Sequence, residues 1–226
     1  MKLTIHQPEH LVYLGIVKKI ADADTFVIFD SVQFKKNYFG NRNKIRTKDG
    51  WVWVTVPVVK QPLETTFKNT KISYSTPWQK KYLNAVKTSY GKAPYFHEYY
   101  PKLEKIILGA GESLCELNID LLMFALESFG IKKNIVRSSE LNIPSDIHGS
   151  DLCLEICRVM NADQYLAGTS GKDYLKLDTF KDMGIEVEFQ DFRHPEYSQI
   201  GEDFISYMSF IDLLFMEGFR AKEILG

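Results

Sequence analysis

The sequence has few cysteines, no long apolar run and almost no net charge, and each of these absences excludes a class of protein. Three cysteines in 226 residues are an odd number without framework spacing, which favours a reducing compartment. No stretch approaches the roughly 20 apolar residues of a spanning helix, and the apolar run at the N-terminus is too short for a signal peptide. A net charge of −1 gives no global attraction to nucleic acid or membranes. We therefore expect a cytoplasmic protein with no nucleic-acid partner and no membrane span.

Several catalytic signatures are also missing. No G-x-G-x-x-G motif follows the first predicted strand, and no G-x-S-x-G elbow or Walker A spacing occurs, which argues against classical dinucleotide, serine-hydrolase and P-loop chemistry. Cys153 and Cys157 are four residues apart in a predicted helix, but no neighbouring Cys/His pair completes a zinc site. We expect both thiols to be packed in the core, and we predict no metal site.

The residues that are present alternate between strand and helix patterns. Short apolar runs predict strands at residues 2–6, 24–30, 134–137, 164–167 and 185–189. Helical periodicity predicts helices at residues 11–20, 78–109 with a break at 91–94, 114–129, 150–160, 172–183 and 209–217. Ser113 and Ser150 are the predicted caps of two of them. This alternation is typical of a doubly wound α/β fold with a mostly parallel sheet of about five strands.

One part of the chain interrupts this alternation. Asp49-Gly50 between two β-rich runs indicates a hairpin over residues 43–58. We therefore predict one α/β domain over residues 1–226, with an insert of roughly residues 40–112 that carries the hairpin and helices.

Polar residues follow the first predicted strand. His6, Gln7, Glu9 and His10 surround Pro8, between that strand and a helix. Ligands of open α/β sheets bind beyond the carboxyl ends of strands, and imidazoles move protons near neutral pH. We take His6 and His10 as catalytic candidates and Gln7 as a substrate-binding candidate. The alternative is that one histidine caps the helix and the other is solvated.

Three further segments carry candidate substrate-binding groups. After the second strand, amides and cations concentrate at Gln33, Asn41, Arg42 and Lys44, where a guanidinium suits planar anions; the alternative is a solvated basic loop. A glycine-containing turn after the fourth strand offers Gly168, Ser170, Gly171 and Lys172 to an anion, unless it is an ordinary tight turn. After the last strand come His194 and Tyr197, whose alternative role is structural.

The motifs resemble those of the WbqC-like family along nearly the whole chain. The resemblance rests on His6-Gln7-Pro8, Leu14-Gly15, Ala23-Asp24, residues 30–34, 41–45, 168–175, 193–197 and 209–214. Where the family commonly has Tyr-Phe-Pro or Tyr-Leu-Pro after Gln-Pro, this chain has Glu9-His10-Leu11. His10 is therefore particular to this chain, which argues against a mechanism that needs both histidines.

The resemblance implies a place in surface polysaccharide (O-antigen) biosynthesis. It further implies a glycine or aminoacyl transferase that forms an amide on an amino sugar. The first hypothesis is therefore an enzyme that attaches an amino acid donor to a nucleotide-linked amino sugar, with ATP as a possible cofactor because forming an amide from a free acid needs activation. The second hypothesis is a non-catalytic nucleotide-sugar binding or assembly factor. Because the carboxyl ends of parallel strands share one edge of a sheet, we expect His6, Gln33 and Gly171 to border one pocket, joined by His194.

Overall fold

The computed structural model describes all 226 residues as a parallel sheet flanked by helices, with a separate hairpin. The strands are β1 Lys2–His6, β2 Thr25–Ile28, β3 Arg42–Thr47, β4 Gly50–Thr55, β5 Asn134–Arg137, β6 Gln164–Ala167 and β7 Glu186–Phe189. The helices are α1 Leu14–Ala21, α2 Trp78–Tyr90, α3 Phe96–Leu108, α4 Leu114–Ser128, α5 Gly149–Val159, α6 Leu177–Asp182, α7 Phe210–Glu217 and α8 Ala221–Leu225. No helix is both long and apolar enough to cross a bilayer.

The main sheet has the order β5-β2-β1-β6-β7, and every neighbouring pair is parallel. The chain starts at the centre, builds outward through β2 and β5, and then returns to the centre to build outward through β6 and β7. The predicted doubly wound α/β sheet is therefore confirmed. The point where the winding reverses lies between β1 and β6, and ligands of such sheets bind beyond the carboxyl ends of those two strands.

Alternation along the strands places apolar side chains on both faces of the sheet. Phe26 and Ile28 join the larger core, of 40 buried residues, which includes α1, the hairpin and helices α2 to α4. Leu3, Ile5 and Val27 join a second core of 13 residues with α5 and α6. Parallel strands that are buried on both faces read as nearly continuous apolar runs, which is why these strands were recognisable in the sequence.

The segment between β2 and β5 carries the predicted hairpin, β3 paired with β4 in antiparallel register from Arg42↔Thr55 to Thr47↔Gly50. It also carries α2, α3 and α4, with the predicted break between α2 and α3. Ser113 caps α4 as predicted, because its hydroxyl accepts a hydrogen bond from the Glu116 amide at 3.3 Å.

Three local predictions were wrong in detail. The first helix begins at Leu14, because Leu11 has a positive φ of 44° and the Asn43 side chain binds the carbonyl oxygens of His10 and Leu11 at 3.1 and 2.8 Å. Ser150 does not cap α5 but accepts a hydrogen bond from the backbone of Lys176 at 2.9 Å. The predicted helix over residues 172–183 is a 3₁₀ turn at Thr169–Asp173 followed by α6.

Candidate active site

A buried lysine meets His6 at the reversal point of the sheet. His6 is the last residue of β1 and projects toward α1. The ammonium of Lys19, whose side chain is only 2% exposed, donates to the carbonyl oxygen of Ile5 and to His6 Nδ1, both at 3.1 Å. Lys19 lies on the apolar stripe of α1, so the packing of that helix on the sheet brings the amine to the strand end.

The protonation states follow from burial and from this hydrogen bond. Burial lowers the pKa of Lys19 to about 8, while the nearby Glu9 carboxylate opposes that change. Burial also lowers the pKa of His6, and the Lys19 charge lowers it further. Because Nδ1 accepts from Lys19, the neutral imidazole carries its proton on Nε2. His6 Nε2 is 3.7 Å from Glu9 Oε1, is shielded from water and has no hydrogen-bond partner, so it is an unsatisfied donor at the strand end.

Gly168 forms the β6 side of this site. It directly follows β6, and a Cβ atom placed on it would lie 3.8 Å from Lys19 Nζ. The glycine therefore leaves the space beside the lysine open. The next residues, Thr169 and Ser170, are exposed and lie on the same strand end. They can bind a phosphate or carboxylate close to the Lys19 charge.

An aromatic group lies beside the start of α1. Tyr13 folds back over Gly15, where any Cβ atom would meet its ring at 2.4 Å. The Tyr13 ring lies 6.1 Å from Phe192 and 5.9 Å from Tyr207, and Tyr207 lies 5.3 Å from the His194 ring. The segment after β7 is tied to the same place, since Gln190 Nε2 donates to the Gly15 carbonyl at 2.8 Å. This group includes one buried acceptor without a partner, His194 Nε2.

The structure separates the side chain of His10 from the contact between His6 and Lys19. Its side chain is fully buried, with Nδ1 2.9 Å from Asn118 Oδ1 and Nε2 2.8 Å from the Tyr82 hydroxyl. Burial lowers its pKa to about 4. Both ring nitrogens are occupied by the protein, so His10 connects the turn after β1 to α2 and α4 and offers no atom to a substrate.

Four of the other predicted residues make their contacts elsewhere in the structure. Gln33 donates to the Leu63 carbonyl oxygen at 2.6 Å, and the buried Asn41 donates to the Val56 carbonyl oxygen at 2.9 Å. Arg42 and Lys44 stack on the hairpin tryptophans. None of the four bonds to His6, Glu9 or Lys19.

The remaining predicted residues lie in the segments that follow β1, β6 and β7. Gly171 is buried, and a Cβ atom there would meet Leu175 at 3.0 Å and Phe189 at 3.1 Å, so this glycine serves close packing. Ser170 and Lys172 are exposed on the same turn, and Gln7 is half-buried beside His6. The Tyr197 hydroxyl donates to the buried Asp212 at 2.8 Å, which gives it a structural partner close to His194.

Comparison with known proteins bears on the whole chain. The model of the WbqC-like protein family matches residues 7–224. The chain belongs to the WbqC-like family. It is 30% identical over 227 residues to the uncharacterized protein Rv1507c of Mycobacterium tuberculosis, a match that covers 99% of this chain and 97% of that protein. No solved structure matches it.

Sequence reasoning missed three groups at the site of this WbqC-like protein. Lys19 and Tyr13 were passed over because a lysine or tyrosine near an apolar stripe reads as a solvated or packed side chain. A signal for Lys19 was present, since it shares the apolar face with Ile16 and Ile20 and is flanked by the solvent-facing Lys18. Glu9 lies in the turn after β1, and no pattern in the sequence predicts its position beside His6 and Lys19.

Proposed function

We propose that this protein is an enzyme of surface polysaccharide biosynthesis that transfers an aminoacyl group, such as glycyl, to the amino group of a nucleotide-linked sugar. The observation that carries the proposal is the contact of His6 with the buried Lys19, beside Glu9 and Gly168, at the reversal point of the sheet. Titratable groups with shifted pKa values that converge at the carboxyl ends of strands are typical of active sites. The pathway and the acyl group come from the family resemblance.

Amide formation makes two demands that these side chains meet. The acceptor amine attacks the acyl carbon and a C–N bond forms, while negative charge develops on the acyl oxygen and then on the leaving group. The Nε2–H of His6 donates to that oxygen, and the Lys19 charge behind Nδ1 strengthens the donor. The Glu9 carboxylate takes the proton that the amine loses.

The acyl donor in this scheme is an acyl phosphate, such as an aminoacyl adenylate made from ATP. Its phosphate leaves with the electron pair of the broken C–O bond and binds Ser170 and Lys172 beside Gly168. The aromatic group of Tyr13, Phe192 and His194 offers apolar faces to the sugar. Gln7, which is half-buried next to His6, completes the proposed contacts.

The first test identifies the ligand. Mass spectrometry of small molecules released from the purified protein is expected to detect a nucleotide-linked sugar or an aminoacyl adenylate. The bound compound then serves in a transfer assay with glycine, ATP and Mg²⁺, in which a new amide is detected by its mass. Failure to bind or convert any member of a panel of nucleotide-linked amino sugars contradicts the proposal.

The second test separates catalysis from binding. His6→Ala is expected to lower turnover by roughly a hundredfold or more, the range in which one oxyanion donor acts, while the sugar nucleotide still binds. His148→Ala is the matched control, because His148 is exposed and makes no side-chain hydrogen bond at its helix start. If His6→Ala retains biological function and ligand binding, the chain is a non-catalytic nucleotide-sugar binding factor.

A further inference from the structure

The charge of the chain is strongly segregated. Residues 31–92 contain 13 lysines and arginines but only two acids, Asp49 and Glu64, and so carry a net charge of +11. The other residues contain 15 basic and 27 acidic side chains and carry −12. The near-zero total therefore hides a basic segment, residues 31–92, joined to an acidic remainder. A basic segment of this kind attracts a negatively charged partner wherever its side chains share a surface.

The basic side chains in this segment mostly lack acidic partners. Two ion pairs with carboxylates occur, Lys71 with Glu112 at 3.3 Å and Lys87 with Glu104 at 3.2 Å. Arg46 is buried and bonds only to backbone carbonyl oxygens. The other cations have no carboxylate within 4.0 Å, although the remainder of the chain has acids in excess. Their positive charge is thus available to an external anion.

Three of these cations alternate with aromatic rings in one continuous strip, which we call the hairpin strip. Its contacts run from Lys35 over Tyr38 at 5.5 Å, through Tyr38–Phe39 at 5.1 Å and Phe39–Trp53 at 5.9 Å, to Trp53–Trp51 at 5.4 Å. Arg42 lies 4.2 Å from the Trp53 ring, and Lys44 lies 4.5 Å from the Trp51 ring.

The geometry of β3 and β4 explains the strip. Arg42 and Lys44 alternate with the buried Asn43 and Ile45 along β3, and Lys44 pairs with Trp53 across the hairpin. One face of the hairpin is therefore in the core, and the other presents the strip. Arg42 Nε is shielded from water without a hydrogen-bond partner, so the aromatic contact holds the guanidinium without neutralising it.

Three exposed apolar or aromatic side chains belong to the same segment. Tyr38 is 50% exposed, Trp51 is 40% exposed, and Leu63 is 81% exposed. The loop of Leu63 is tied to the segment that leads into the strip, because the Leu63 carbonyl oxygen accepts from Gln33, two residues before Lys35. Tryptophan and tyrosine favour the headgroup level of a bilayer, and leucine favours the acyl boundary below it. Nucleic acid would use the cations and rings but has no need of an exposed leucine.

We propose that the hairpin strip is a docking surface for an anionic lipid bilayer. The lysines and arginine contact the headgroup phosphates, and Trp51, Tyr38 and Leu63 enter the interface. The strip adjoins the turn that carries Glu9, since the Phe39 carbonyl oxygen accepts from the His10 amide at 2.8 Å. A docked chain would thus hold that turn near the membrane. The inference does not depend on the proposed reaction.

The test is flotation of the full chain with vesicles. We expect binding to vesicles of phosphatidylcholine mixed with phosphatidylglycerol, weak binding to phosphatidylcholine alone, and a decrease with salt. Lys35→Glu with Lys44→Glu should lower the partition coefficient at least about tenfold, since each basic side chain near the surface contributes roughly a fivefold factor. Lys132→Glu with Lys181→Glu makes the same charge change at two exposed lysines outside the segment and should float like the parent.

A second measurement uses the unmodified chain and so does not depend on the folding of a variant. Brominated phosphatidylcholine in the anionic vesicles should quench Trp51 and Trp53, whereas Trp78, 4% exposed, provides an unquenched fraction. Equal loss of flotation in both double variants, or the absence of flotation with anionic vesicles at low salt, overturns the proposal. Binding of a labelled single-stranded oligonucleotide without flotation also overturns it and assigns the strip to nucleic acid.

Discussion

Replacing His10 by asparagine should remove a pH-dependent part of the stability. The amide nitrogen of Asn118 donates to the carbonyl oxygens of Pro8 and Gly40 at 2.6 and 2.8 Å, so its oxygen is the acceptor for His10. His10 Nδ1 therefore carries the proton, and Nε2 accepts from the Tyr82 hydroxyl. Asparagine can keep a donor near Asn118 but cannot take up a proton in this range.

The magnitude follows from the pKa of the buried ring. Burial lowers the pKa of His10 from its ordinary value of 6.5 to about 4, while in the unfolded chain the ring regains the ordinary value. The unfolded state therefore binds the proton first as the pH falls. The contribution of His10 to stability is complete above pH 6.5 and is lost as the pH falls to about 4. This difference corresponds to about 3 kcal/mol.

Urea unfolding followed by circular dichroism measures this effect between pH 7 and pH 4. At pH 7 His10→Asn should be less stable than the parent by about 1–3 kcal/mol, because the Tyr82 hydroxyl loses its acceptor. Toward pH 4 the parent should lose about 3 kcal/mol relative to the variant, so the gap closes or reverses. His148→Asn, at an exposed histidine, is the control. A gap that stays constant with pH would refute the assignment of a neutral buried ring.

Two further predictions concern buried groups. Asp30→Ala should lower the free energy of unfolding by about 3 kcal/mol. The reason is that the buried carboxylate accepts from Arg137 Nε at 2.8 Å and from the Ser139 amide at 2.9 Å. A melting temperature within about 1 °C of the parent would contradict this role. Cys153 and Cys157 should react with a thiol reagent only on unfolding, since both are buried and burial raises the pKa of Cys157 to about 12. Rapid labelling of the native protein would show that α5 does not pack as described.

Much of the fold was predictable because its signals are local. The apolar runs of β1 and β6, and the Asp49-Gly50 turn of the hairpin, act over a few neighbouring residues. Helix starts were less predictable, because a distant side chain decides them. Asn43 occupies the carbonyl oxygens of His10 and Leu11 and so delays α1, and no pattern near α1 contains that information.

The sequence predicted some residues of the candidate site, among them His6 and Gly168, but not how they meet. His6 is the last residue of a buried strand, and the alternation of strands and helices predicts that ligands bind beyond the carboxyl end of that strand. Gln33 and Gly171 follow strands too, but Gln33 is bonded to the loop at Leu63 and Gly171 is closed in by Leu175 and Phe189. No contact joins Gln33 or Gly171 to His6, so the predicted common pocket of these three residues has no supporting contact in the structure.

The amino-acid sequence by itself determined the parallel strands, the hairpin and the position of His6 at a strand end, because these follow from the period of apolar residues and from turn chemistry. Tertiary structure decided which polar groups are enclosed by the protein and which meet at the strand end. His6 and His10 are four residues apart, yet His10 is enclosed between Asn118 and Tyr82 while His6 meets Lys19. That difference arises from the packing of α1, α2 and α4 around one turn, since burial and hydrogen-bond partners set the pKa of each ring and no local pattern encodes them.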